Sequence, residues 1–254
     1  MLAGLVRDRE AGDAFSVKHL LAALPLLCLA TPAVAEQRSF AIGSFDRVRI
    51  DGPFRVIVTL GGSPNGVAEG DARAIGDIDV RVDGTTLIVR AGVSGWGEQG
   101  SARQSAPVVR VSTQAIRSIV TVGAAQVSVG GPFRGQRLDL SLTGSGTLTA
   151  PTIDADQMFA TVLGSGTMTL GGHAAKVRLT TSGSANIAAA ALVADDLTVR
   201  LDGSGAIDAQ ARYTAAVTTT GLGGVMVYGK PACTVNAVAG GPVSCGKIER
   251  APAQ

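Results

Sequence analysis

Carboxylates are the side chains of this chain with the plainest capacity for catalysis. Asp139, Asp154, Asp156, Asp195, Asp196, Asp202 and Asp208 all fall in its second half. Two carboxyl groups facing each other can act as general acid and general base on a glycosidic bond. Asp202 and Asp208 flank Gly203 and could approach each other, but no base adjoins them. His173 sits in a Gly-Gly-His segment with no Asp or Cys evident as a partner. Ser145, Ser165 and Ser184 recur at one place in a repeat, with no histidine in reach to activate them. The expectation is a non-enzyme with no catalytic residue. No metal site is expected either. Calcium-binding solenoids repeat a Gly-Gly-x-Gly-x-Asp nonapeptide, and these aspartates do not recur in register. No cofactor-binding residue is identified.

Those serines belong to a glycine-led triplet that organises the second half. It reads Gly144-Ser145-Gly146, Gly164-Ser165-Gly166, Gly183-Ser184-Ala185, Gly203-Ser204-Gly205 and a decayed Gly221-Leu222-Gly223. The starts are 20, 19, 20 and 18 residues apart, and a fainter copy, Gly123-Ala124-Ala125, starts 21 residues before the first. A period of this size marks a solenoid, in which a single coil cannot bury its apolar face alone.

The register of the copies predicts strands. The fourth residue after each leading glycine is Val127, Leu148, Met168, Ile187, Ile207 or Val225, and the intervening residues are mostly small or polar. Alternation with period two puts one face inward. A second strand precedes each following glycine: Leu138, Leu140, Leu142; Met158, Ala160, Val162; Val177, Leu179; Leu197, Val199, Leu201. No helical stripe intervenes, so adjacent coils pair in parallel. The predicted class is an all-β parallel β-helix, a solenoid with coils of about 20 residues.

Glycine accepts φ > 0 and turns the chain sharply, and small corner residues let coils approach. Gly144, Gly146, Gly164, Gly166, Gly183, Gly203 and Gly205 are therefore assigned to turns. A phosphate cradle would need a helix N-terminus or a following lysine, and neither is present. Thr147-Leu148-Thr149 is expected to stack on Thr167-Met168-Thr169. Longer threonine ladders on a β-helix bind ice, but this one ends at Asn186-Ile187-Ala188.

Val17 to Ala35 reads as a secretory signal. Lys18 and His19 precede the apolar run Leu20 to Ala30, and Ala33-Val34-Ala35 is a small-x-small cleavage site with junction residues Ala33 and Ala35. The run is too short to span a bilayer. Met1 to Ser16 is charged and unlike a signal, which puts the expected start near Val17. Leu27 before Cys28 disfavours a lipid anchor. Residues 1–35 are thus assigned to an extension and signal, and 36–254 to one domain with repeats clearest at 123–246. The mature protein would be periplasmic or at the cell surface, with no transmembrane segment after cleavage.

The net charge is +2. Cleavage removes Arg7, Arg9 and Lys18 together with Asp8, Glu10 and Asp13, so the balance is unchanged. Such a chain has no general field for nucleic acid or an anionic membrane. Cleavage also removes Cys28 and leaves Cys233 and Cys245. Two cysteines in an exported chain suggest one disulfide, here closing the end where the repeat decays.

In the first half, Phe45 to Ile50 leads into the turn signal Asp51-Gly52-Pro53. Phe54, Val56, Val58 and Leu60 then alternate with Arg55, Ile57 and Thr59. Ile78, Val80 and Val82 lead through Asp83-Gly84 into Leu87 and Val89. Ala91 to Ala106, which holds Trp96, reads as a projecting loop, and strands resume at Val108 to Val111 and Ile119 to Val122.

Three stretches together resemble one known family. They are Phe45-Asp46-Arg47-Val48-Arg49-Ile50-Asp51-Gly52-Pro53-Phe54-Arg55-Val56, the Leu87-Ile88-Val89 strand after its Asp-Gly turn, and the Gly-Ser-Gly coils ending in Tyr228-Gly229-Lys230-Pro231. Over roughly residues 40–246 the chain resembles the putative auto-transporter adhesin, head GIN domain family of exported bacterial proteins. The resemblance implies a right-handed parallel β-helix and does not imply an enzyme. The chain departs from the pattern at Gly221-Leu222-Gly223, which leaves the register of the last coils open. The functional expectation is an adhesin-like module presenting a polar surface to a glycan or cell-envelope component. Self-association through open coil ends is the alternative, and a polysaccharide-active enzyme a remoter one.

Overall fold

The computed structural model describes residues 36–92 and 106–246. The predicted signal, with Ala33 and Ala35, lies outside these residues, as does most of the loop expected at Ala91 to Ala106. The first half contributes β1 (Glu36–Phe40), β2 (Arg47–Asp51), β3 (Arg55–Leu60), β4 (Asn65–Gly70), α1 (Ala72–Gly76), β5 (Ile78–Asp83), β6 (Thr86–Ala91) and β7 (Val108–Thr113). The repeats contribute β8 (Ser118–Gly123), β9 (Gln126–Gly130), β10 (Phe133–Gly144), β11 (Thr147–Gly164), β12 (Thr167–Gly183), β13 (Asn186–Gly203) and β14 (Ala206–Thr219). They end in β15 (Gly224–Gly229), β16 (Ala232–Ala237) and β17 (Val243–Cys245). These strands form one sheet wound into a parallel β-solenoid of about 6 turns.

Burial along β11 alternates except at Pro151-Thr152 and Asp156-Gln157, where two successive residues are exposed. Alternate side chains of a strand point to opposite faces, so such breaks mark corners. With the glycine triplet, each regular coil turns three times and carries three faces: 147–150, 153–155 and 157–164 in β11. Coils stack in parallel, one repeat per step: Thr147 on Thr167 on Asn186, Met158 on Val177 on Leu197, Gly164 on Gly183 on Gly203. The inward rows Leu148, Met168, Ile187, Ile207 and Leu140, Ala160, Leu179, Val199 are each 2% exposed or less. Each large apolar member contributes about 1.5–3 kcal/mol by leaving water. The corners of the middle face carry no Gly-Ser-Gly, so the repeat does not mark it in the sequence. Asp154 lies in β11, and Asp195 and Asp196 lie within β13.

The glycine corner is crowded by its neighbours. The Ser165 amide donates to the Gly144 carbonyl at 3.0 Å, Ser184 to Gly164 at 2.9 Å and Ser204 to Gly183 at 2.9 Å. Gly164 has φ 113°. At Gly166, a Cβ would lie 2.7 Å from Leu142 Cδ2 and 2.8 Å from the Gly146 carbonyl oxygen. The decayed triplet keeps the same step: the Gly223 amide donates to the Gly203 carbonyl at 3.0 Å, and Ile207 pairs with Val225.

The first half is wound out of order. β2 pairs with β6 on one side and β8 on the other, and β3 with β7 and β9. The coil that comes first in sequence is thus inserted between two later ones. Beyond it, β5 runs antiparallel to β6, β4 antiparallel to β7 and β1 antiparallel to β4. The opposite end has no such cover among the described residues: β16 pairs with β14 and β17 with β15, and every residue of β16 is exposed. The Cys233–Cys245 disulfide ties these two strands together.

Candidate functional site

Most of the carboxylates that suggested catalysis are held by neighbours. Arg200 Nε donates to Asp202 at 2.9 Å, and the Thr220 hydroxyl donates to its other oxygen. The Thr220 hydrogen bond first, and Arg200 second, hold the Asp202 carboxyl below its ordinary range. A general acid needs the opposite shift. Asp208 lies past the glycine corner, on the first face, in line with Ala188 and Met226. Asp202 and Asp208 therefore project from different faces and do not converge. Arg137 engages Asp139 through both oxygens at 3.0 and 3.1 Å, and Arg134 lies 3.4 Å from Asp154. Asp196 accepts from Thr214 at 2.6 Å.

His173 does have an acidic partner, which sequence spacing hid. Its Nε2 lies 3.5 Å from Asp195, which Arg212 also approaches at 3.2 Å. The imidazole borders an open cleft of about 680 Å³ along the corner of the second face, with Pro132, Arg134, Pro151, Thr152 and Asp154. This wall is built largely of paired ions, prolines and backbone, and it holds no serine or cysteine nucleophile. Among the described residues no group of three or more His, Cys, Asp or Glu could hold a metal ion. The threonine pairs do stack, Thr147 on Thr167 and Thr149 on Thr169, and the rows end in Asn186 and Ala188.

A second cleft, of about 280 Å³, opens on the third face. Register builds it: Gln157, Lys176 and Asp196 form one outward row, and Phe159, Arg178 and Thr198 the next. Met158 and Val177, both buried, form its floor. Phe159 is an aromatic on an outward row, whereas Phe45, Phe54 and Phe133 are buried. The Arg137 guanidinium lies 4.3 Å from its ring centroid and that of Arg178 5.8 Å. Such contacts contribute about 0.5–1 kcal/mol at exposed sites. The hydrogen bond and charge of Asp139 raise Arg137 above its ordinary value, so this cation is already engaged. Lys176 and Arg178 have no carboxylate partner among the described residues. The cleft is therefore an open recess bearing two cations without a carboxylate partner among the described residues, one of them, Arg178, near an aromatic ring.

No sequence motif marks this recess. Its signal is positional: Phe159, Arg178 and Thr198 occupy one outward row once the coils are aligned on their leading glycines.

The fold has close counterparts among solved structures. A structure described as a putative adhesin from Bacteroides fragilis superposes with a TM-score of 0.77 at 18% identity, covering 83% of this chain and 96% of that one. One described as a putative lipid binding protein from Parabacteroides distasonis gives 0.69 at 18% identity, covering 85% and 98%. A putative adhesin from Parabacteroides merdae gives 0.67 at 17% identity, with the same coverage of 85% and 98%. At these identities the likeness is one of fold. No curated protein matches the chain. The family model for the putative auto-transporter adhesin, head GIN domain matches residues 44–231, and the chain belongs to that family.

Proposed function

We propose that this protein is an exported, non-catalytic, adhesin-like module whose polar outer faces bind a glycan or another cell-envelope polymer. Residues 36–254 act as one domain after removal of the signal. The observation that carries the reading is the third face: a ladder of mostly polar outward side chains with a recess holding two cations that have no carboxylate partner among the described residues. Family membership favours a surface or exported protein that binds something external. Among the described residues no helix is long and apolar enough to cross a membrane. Asp139, Asp154, Asp195, Asp196, Asp202 and His173 are engaged in ion pairs or hydrogen bonds, which favours binding over turnover.

The test is an array of glycans and envelope polymers probed with the oxidised protein, with the ligands weighed afterwards by mass spectrometry. Reproducible binding with unchanged ligand mass is the expected result. Shortened ligands would make the protein an enzyme.

A second reading, self-association, draws on the open C-terminal end. Leu222 (74% exposed), Val235 (46%) and Val238 (74%) lie there, and β16 offers an edge without charge or proline that is unpaired among the described residues. Light scattering that shows mass rising with concentration, and falling back in a Val235→Lys variant, would favour it.

A further inference from the structure

We propose that the recess beside Phe159 is a subsite for a carboxylated sugar, one uronate unit of an acidic polysaccharide. This inference rests on the reading of the protein as a binding module and names the ligand class for that module.

Charge decides the class. Lys176 and Arg178 stand two residues apart on β12 and project from the same face. Neither has a carboxylate partner among the described residues, while Arg137 alongside is bound by Asp139. A guanidinium fork matches a carboxylate in two parallel hydrogen bonds, and an adjacent ammonium adds a point charge. Phe159 acts as a positioning residue: with arginines against its ring, it orders cations that would otherwise sweep through solvent.

Hydroxyl recognition comes from the remaining groups. The Gln157 amide, the Thr198 hydroxyl and the Asp196 carboxylate border the same recess and offer both donors and acceptors. Asp196, beside Lys176, and Asp139, beside Phe159, disfavour a densely anionic ligand such as a polyphosphate. The volume of about 280 Å³ lies at the small end of small-molecule sites, which suits one ring of a polymer rather than a whole oligomer. A membrane is a poorer occupant. The large exposed apolar side chains, Leu163, Tyr213, Leu222, Val235 and Val238, line none of this recess, and Phe159, its outward aromatic, is flanked by the charged Arg137 and Arg178.

The probes are galacturonate oligomers, neutral galactose oligomers of equal length and phosphatidylglycerol vesicles, titrated calorimetrically into the oxidised full chain as processed by its host. The galacturonate oligomer is expected to bind saturably, and more weakly in about 0.5 M salt. Lys176→Gln with Arg178→Gln should weaken it about tenfold or more with the melting temperature unchanged. Phe159→Leu should weaken it less. The single Lys176→Gln variant gives the same reading should the double variant melt early.

Galacturonate binding that survives the double variant would overturn the site while leaving the binding module standing. Preference for the neutral oligomer would overturn the acidic class and also spare the module. Binding to vesicles alone would replace the glycan with a membrane and overturn the proposal. If none of the three binds, the proposal fails, and only failure on the broader array as well removes the module.

Discussion

In the second half of the chain, the coil that follows in sequence is also the coil that follows in space; in the first half it is not. From β8 onward each step is about 20 residues, and Leu148 meets Met168, which meets Ile187. In the first half, Arg47 pairs with Ser118, and the β2–β3 coil lies between β6–β7 and β8–β9. The link from β7 to β8 must step over that coil. It is tied down there: the Thr113 hydroxyl donates to the Phe45 carbonyl at 2.9 Å, the Arg117 amide to the Asp46 carbonyl at 2.8 Å, and the side chains of Arg117 and Asp46 pair. The regular half is held by local repetition, whereas the inserted half depends on closure between distant segments. Loop-closure entropy grows slowly with length, so the inserted arrangement costs folding time more than stability. It also covers one end of the sheet with antiparallel strands, which the other end lacks among the described residues.

The largest effect should come from the corner glycines of the regular half. Gly166→Val would place side-chain atoms against Leu142 and the Gly146 carbonyl and should cost about 3 kcal/mol or more. Gly84→Ala, in the β5–β6 turn with open space around it, should cost about 1 kcal/mol, from its φ of 60° alone. Urea unfolding of both variants checks this, and equal losses would break the contrast.

Next is the disulfide. Cys233→Ser with Cys245→Ser should cost about 3 kcal/mol in the chain-entropy model for a separation of 12 residues. Hydrogen exchange should accelerate in β16 and β17 and stay unchanged in β2 and β3. Uniform acceleration would mean that the two ends are one cooperative unit.

A matched pair of threonines sharpens the comparison. Thr181, in the regular half, is buried with its hydroxyl unpartnered; Thr113, at the step-over, is buried with its hydroxyl bonded to Phe45. Thr181→Val should stabilise by about 1 kcal/mol and Thr113→Val destabilise by about 1–2 kcal/mol. Thermal unfolding should show shifts of opposite sign.

The smallest effect concerns acid stability. The Asp202 carboxyl titrates below its ordinary 3.8 in the folded chain, so its contribution is present above that value and is lost as pH falls through the depressed one. Thr220→Val should move the titration back up and trim that contribution slightly, as followed by carboxyl-carbon NMR.

Period two and the glycine spacing made the inward rows readable, down to Leu140, Ala160, Leu179 and Val199. Local signals stop where partners are distant. Nothing near Phe45 to Leu60 says that this coil meets Ser118 to Gly130, and Asn65 to Gly70 lacks the alternation that would announce β4. α1 is a single short turn of helix, begun where Asp71 accepts from the Arg73 amide. His173 and Asp195 meet only because a corner at Gly171-Gly172 adds a third face. The Phe159 recess has no local signal for a related reason: its residues are chemically ordinary one by one, and only stacking brings them together.

The most direct test of recognition on the side of the solenoid, rather than at its end, is an NMR titration of the labelled protein with a galacturonate oligomer. The account predicts saturable shifts at Gln157, Phe159, Lys176, Arg178 and Thr198, with β16 and β17 unmoved. Shifts confined to β16 and β17, or none at all, would contradict it.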